Sequence, residues 1–195
     1  MMLPVAFYSR PTLQILEEII GKVLIRKSKD GLASGIIVEA EAYRGQDDPA
    51  SFASRGRTKR SEMLYGPPAR AFVYLTYGMH HLFNVVTEQE GFPAAVLIRA
   101  LEPLEGLALM QKRRRTDDVL NLCSGPAKLC QALDIDLSLN GASLSSPRSP
   151  LILVGRTDED EKEKDLVWRP RIGIREGRDR LWRVYRKGSP FVSVK

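Results

Sequence analysis

The sequence predicts a single domain of mixed helix and strand, and three observations lead there. The chain has 195 residues, of which 43% are hydrophobic and 28% charged. That length suits one domain, since domains run about 100–200 residues, and the composition is that of a globular chain able to bury a core. Runs that alternate apolar and polar residues, or are rich in β-branched ones, recur along the chain and are separated by short stretches of helical spacing.

In chain order, PTLQILEEIIG (11–21) has Pro in its first turn, apolar residues at helical spacing and a closing Gly able to take the left-handed cap, which predicts a short helix. KVLIRK (22–27) predicts a strand. SGIIVEAEAY (34–43) is β-branched early and alternates later. It predicts a strand with Glu39, Glu41 and Tyr43 on one face and Val38, Ala40 and Ala42 on the other. Residues 45–70 are full of Gly, Pro, Asp and Ser with no sustained period, which predicts a long loop of the kind that often carries function.

AFVYLTY (71–77) and HLFNVVT (81–87) predict the arms of a hairpin, and AAVLIRAL (94–101) a further strand. EPLEGLALMQKRRR (102–115) predicts a helix. So does CSGPAKLCQALDI (123–135), with Ser124 as its cap and Pro126 in its first turn. SLSSPRSP (143–150) predicts a linker-like loop, the charge run RTDEDEKEKD (156–165) a solvated one, and RIGI, LWRVYR and FVSV short strands in the tail. Too little chain follows these loops to build a second core, and there is no internal repeat.

Charge is unevenly placed. The net charge is +6, and from Arg171 onward eight Arg or Lys face two acids, Glu176 and Asp179. With RGRTKR (55–60) and KRRR (112–115), this suits a polyanionic partner such as nucleic acid, or a solvated surface. No apolar run reaches the roughly 18 residues of a membrane span, and the opening MMLPVAFYSRP is too short and broken for a signal peptide, so a cytoplasmic protein is expected. On one shared helix, Cys123 and Cys130 would stand roughly 10 Å apart, beyond the limit of about 7 Å for a disulfide, so both are expected reduced and buried.

Several residues could carry chemistry. Glu41, at the end of an alternating strand, is either a general base or an exposed strand residue, and Glu39, Tyr43, Tyr74, Asn84 and Arg99 are placed to share its surface. Arg99, set among apolar neighbours, needs a carboxylate partner if buried, which Glu39 or Glu41 can supply. Alternatively, an arginine and a glutamate can hold a water between them. His80 and His81 with Asp47 and Asp48 make a poor chelate, because adjacent strand residues point to opposite faces. Walker, GxSxG and GxGxxG motifs are absent. Tyr77, just before Gly78 at the predicted turn, is a cross-strand packing residue or an exposed wedge between base steps.

The stretches EAEAYRG, VYLTYGMHHLFN, VLIRALEPLEG, LCSGPAKLCQAL and GSPFVSV, in this order, together resemble the alkyladenine (3-methyladenine) DNA glycosylase family from about the first helix to the C-terminus. The resemblance implies an α+β domain with a curved, mostly antiparallel sheet surrounded by helices and a protruding hairpin that enters the DNA minor groove. It implies excision of alkylated or deaminated purines from double-stranded DNA by hydrolysis of the N-glycosidic bond, with no metal or organic cofactor. By this likeness Glu41 is the general base and Arg99 helps to hold the attacking water, which the Ile172 carbonyl also faces. Tyr43 and Tyr74 stack on the extruded base, Tyr77 with Met79 behind it fills the gap left in the duplex, and Asn84 crowds the amino group of guanine. Phe52 stands where the family usually has histidine, which removes a side-chain hydrogen bond while leaving a ring to stack. No lysine matches a nucleophile of the family, so a monofunctional glycosylase without strand cleavage is expected; a monomer is expected too. A non-catalytic nucleic-acid-binding domain of the same fold is the alternative.

Overall fold

One long strand organises the molecule. β2 (Gly31–Arg44) runs for 14 residues through the centre of a curled, antiparallel sheet. The computed structural model describes residues 1–155 and 165–194, so the charge run at 156–165 lies, except for Asp165, outside the described residues. The other strands are β1 (Val23–Ser28), β3 (Ala71–Thr76), β4 (His80–Val86), β5 (Ala94–Pro103), β6 (Leu151–Val154), β7 (Leu166–Arg169) and β8 (Arg183–Arg186). Their order is β3-β4-β5-β2-β1-β6, with β8 joining β2 and β7 joining β8. β1 pairs with the first half of β2 as far as Ile36, β8 pairs with Glu39–Glu41, and β5 runs beside residues 35–44.

Helices α1 (Val5–Tyr8), α2 (Thr12–Glu18), α3 (Leu107–Arg114) and α4 (Pro126–Leu133) complete the expected α+β class. Ile15 and Leu16 of α2 and Leu129 and Leu133 of α4 join the main core with Ile37, Ala40, Ala42, Val96, Ile98 and Leu101 of the sheet. Burial of each Val, Leu or Ile side chain among these stabilises the fold by about 1.5–3 kcal/mol. Among the described residues no helix is long and apolar enough to cross a membrane.

The face assignment of β2 needs one correction. Val38 does not share a side with Ala40 and Ala42; it packs in a second cluster with Ile36, Ala100 and Tyr185. The cause is a pair of register shifts against β5, where Ile37 opposes Leu101, Glu39 opposes Ala100 and Ala40 opposes Ile98. Val38 and Arg99 are each skipped. On both strands two consecutive residues therefore fall on the same face, Val38 with Glu39 and Arg99 with Ala100. Bulges of this kind re-aim side chains.

Other expectations shift in detail. The predicted helix at 102–115 shrinks to α3, because β5 continues through Glu102 and Pro103. Gly125, not Ser124, is the cap of α4, and Cys123 precedes that helix, so the two cysteines do not share it; both are free and buried. RIGI and FVSV lie outside the strands, whereas LILV (151–154) and LVWR (166–169) form them. The 45–70 loop contains two 3-10 turns, Phe52–Arg55 and Glu62–Tyr65.

Much of the basic charge is also spoken for. Arg113 and Arg114 donate to the carbonyls of Ala132 and Leu122, Arg57 pairs with Glu62, and Arg171 and Arg183 are buried against carboxylates.

Candidate active site

Glu41 is fully buried, not a solvated strand residue. Its Oε1 accepts the Ile172 N–H at 2.7 Å and faces Arg99 Nη1 at 3.1 Å, while Oε2 accepts the Tyr43 hydroxyl at 2.9 Å. A carboxylate offers about four acceptor positions. Three are used, and the one left is on Oε2. Burial raises the Glu41 carboxyl above its ordinary range, and Glu39 adds to this, while Arg99, the Ile172 N–H and the Tyr43 hydroxyl pull it down without cancelling the burial.

Arg99 serves both carboxylates, with Nε 3.2 Å from Glu39 and Nη1 3.1 Å from Glu41. Glu39 is the more heavily held of the two, with four donors: it also accepts Arg183 Nη1 at 2.9 Å, the Ser193 hydroxyl at 2.9 Å and the Ser193 N–H at 2.6 Å. Glu39, with four donors, is thus an anchor for Arg99, and Glu41, with three, is the less occupied carboxylate. The GSPFVSV stretch contributes here through Ser193, although it forms no strand.

The three partners of Glu41, Tyr43, Arg99 and Ile172, line a cavity of about 370 Å³ together with Phe52, Tyr74 and Asn84, with Tyr77 at its edge. Ligand pockets span about 300–1,000 Å³, so a nucleobase fits. Tyr43, at the end of β2, has its hydroxyl pushed well above its ordinary range, first by burial and then by the Glu41 charge; burial pushes Tyr74 up to about 12. Both phenols therefore stay neutral donors. Phe52 stands edge-on to Tyr74 at 4.9 Å between ring centroids, and the Arg60 guanidinium lies 4.2 Å from the Phe52 centroid. Asn84 is buried opposite Phe72, to whose carbonyl it donates at 3.2 Å.

The turn joining β3 and β4 holds Tyr77 and Met79, exposed by 90% and 70%. Tyr77 and Gly78 both take left-handed backbone, with φ of 52° and 71°. For a tyrosine this costs about 1–2 kcal/mol. Met79 lines a separate groove beside α4 and not the cavity.

A family model described as methylpurine-DNA glycosylase matches residues 6–190. The chain belongs to that family. As a member it is a DNA glycosylase, a hydrolase of N-glycosyl bonds acting in base excision repair. Relatives named "Putative 3-methyladenine DNA glycosylase" include one from Carboxydothermus hydrogenoformans, 46% identical with 100% of both chains covered. One from Methanoculleus marisnigri is 46% identical with 99% of each chain covered. One from Prosthecochloris aestuarii is 45% identical, covering 96% of this chain and 88% of its own.

Of the sequence-nominated residues, Tyr43, Phe52, Tyr74, Tyr77, Asn84, Arg99 and Ile172 line this cavity, Glu41 lies behind it bonded to Tyr43, Arg99 and Ile172, and Met79 lies outside it. Sequence reasoning missed Arg183 and Ser193 as the other partners of Glu39, and it missed Arg171. Asp48, considered with the histidines for a metal, is instead bound to Arg171 by two contacts of 2.6 and 2.7 Å. The available signal was the arginine excess of the tail.

Proposed function

We propose that this glycosylase turns a damaged purine nucleotide out of duplex DNA into the Tyr43–Phe52–Tyr74 cavity and cleaves its N-glycosidic bond with a water activated by Glu41. The observation that carries this is a fully buried carboxylate held by three donors, Tyr43, Arg99 and Ile172, that themselves line the aromatic cavity, with one acceptor position on Oε2 left over. A water there gives a proton to Glu41 as its oxygen bonds to C1′. The C1′–N bond breaks with its electron pair going to the base, so a cationic alkylpurine leaves as a neutral molecule. A base poised above its ordinary range suits catalysis near neutral pH, and the carboxylate charge also stabilises the oxocarbenium-like centre.

Extrusion costs a few kcal/mol, less for damaged or mispaired bases. Tyr77 offsets the lost stacking by entering the duplex from the exposed β3–β4 turn, with Met79 behind it. The aromatic walls attract a cationic base through their π faces. Asn84, fixed by its bond to Phe72, crowds the exocyclic amino group of guanine and disfavours the normal base. Among the described residues lining the cavity there is no lysine, so the nucleophile is water and no strand cleavage follows.

Single-turnover assays at enzyme excess on duplexes carrying 3-methyladenine, hypoxanthine or ethenoadenine test this. Release of at least one base, leaving an intact abasic strand, is the expected result. No release from any of them, or a covalent adduct trapped by borohydride, overturns it.

A further inference from the structure

Arg171 and Asp48 form a fully buried ion pair that none of the chemistry above uses. Asp48 accepts two bonds from the guanidinium, at 2.6 and 2.7 Å, and Arg171 Nη1 also donates to the Ala42 carbonyl at 2.9 Å. The guanidinium lies 4.7 Å from the Tyr43 ring centroid and 5.2 Å from that of Trp182. Asp48 further accepts the backbone N–H groups of Arg44 and Ala50, at 3.3 and 3.2 Å. The pair therefore touches the end of β2, the loop leading to Phe52 and the segment carrying Ile172. Gly177 folds over it so closely that a Cβ there would sit 2.9 Å from Arg171 Nη2.

A buried ion pair is a poor source of stability, since apolar residues of similar volume often serve as well or better. Arg171 Nε is even left buried without a hydrogen-bond partner among the described residues. What the pair does supply is position. We infer that Asp48 and Arg171 are positioning residues, which lock the Ile172 N–H onto Glu41 and hold the Tyr43 ring at the wall of the cavity. Arg171 is the residue before Ile172 in sequence, so a fork fixed at three acceptors leaves the next amide little freedom. Loss of the fork loosens the 2.7 Å bond to Glu41 Oε1.

This inference rests on the proposed role of Glu41, so its test has one arm independent of excision. Arg171→Lys keeps the charge but cannot make the planar two-pronged contact. Asp48→Glu keeps the charge and lengthens the acid, which guards against a folding defect in either variant alone. Constant charge matters because Glu41 is also faced by Arg99 of β5, Glu39 and Tyr43 of β2 and Tyr74 of β3, with Arg183 opposite it in β8.

The first readout is the Ile172 amide resonance during a pH titration. In the wild type it follows Glu41; in the folded variants that dependence weakens. The second is the single-turnover rate on whichever lesion the wild type excises fastest. It falls about 10- to 100-fold, and its acidic limb moves to higher pH because Glu41 loses a donor that favours its charged form. A variant that melts lower but keeps the wild-type amide titration and acidic limb overturns the inference, as does one that matches the wild type throughout. If the wild type excises nothing, the proposed function fails, while the amide titration still decides the positioning role.

Discussion

Glu41→Gln separates chemistry from folding. In the folded protein the carboxylate accepts from Ile172, Arg99 and Tyr43. A glutamine keeps the Ile172 N–H and Arg99 on its oxygen, while its NH2 donates to the Tyr43 oxygen and the Tyr43 O–H turns to the cavity that Tyr43 lines. Arg99 retains Glu39. Burial, the largest influence, raises the Glu41 carboxyl above its ordinary range. A carboxyl raised in the folded state contributes stability that is complete below its unfolded pKa and is lost as pH rises through its folded one. At neutral pH the charged form is therefore a burden that the amide avoids. The variant should melt at the wild-type temperature or above it near neutrality, with the difference closing in acid. Its single-turnover excision should fall by about 10²–10⁴, the span of general-base catalysis, with affinity for lesion duplex retained in a gel-shift assay. For the wild type, excision of a cationic lesion should rise with pH through a limb above the ordinary glutamate value. A near-normal rate in Glu41→Gln refutes the assignment of the base, and a large drop in melting temperature at neutral pH refutes the electrostatic reasoning.

Tyr77→Gly removes both the ring and the cost of its left-handed backbone, so denaturant unfolding should change by no more than about 1 kcal/mol, while base extrusion, followed by 2-aminopurine fluorescence, should decline. Gly106→Ala should destabilise by about 2 kcal/mol or more, since a Cβ at φ +79° would lie 2.3 Å from the Leu32 carbonyl oxygen; thermal unfolding shifts by about 2–4 °C per kcal/mol for a chain of this size. Burial pushes the Cys123 thiol up to about 12 and Cys130 upward as well. Both should resist a disulfide reagent in the native state and react once denaturant is added, and rapid labelling of the native protein would contradict this.

The local pattern carried far. Alternation in EAEAY placed Glu39, Glu41 and Tyr43 on one face, and they do share one. The two β-rich runs either side of Tyr77–Gly78 pair as β3 and β4. The short strands LILV and LVWR were less legible, because four residues give too little period to separate a strand from a loop. RIGI read as a strand by composition alone, yet its backbone serves Glu41 and Arg171 is committed to Asp48.

By itself, the sequence determined which side chains were available for chemistry and, through periods of two and of 3.6 residues, most of the elements that hold them. Only the tertiary structure decided which carboxylate was held by four donors and which by three that line the cavity. That choice depends on paired bulges at Val38 and Arg99 and on partners more than a hundred residues away, Ile172, Arg183 and Ser193. Register shifts and long-range hydrogen bonds leave no periodic trace, because they arise from how strands meet and not from the order of residues along any one of them.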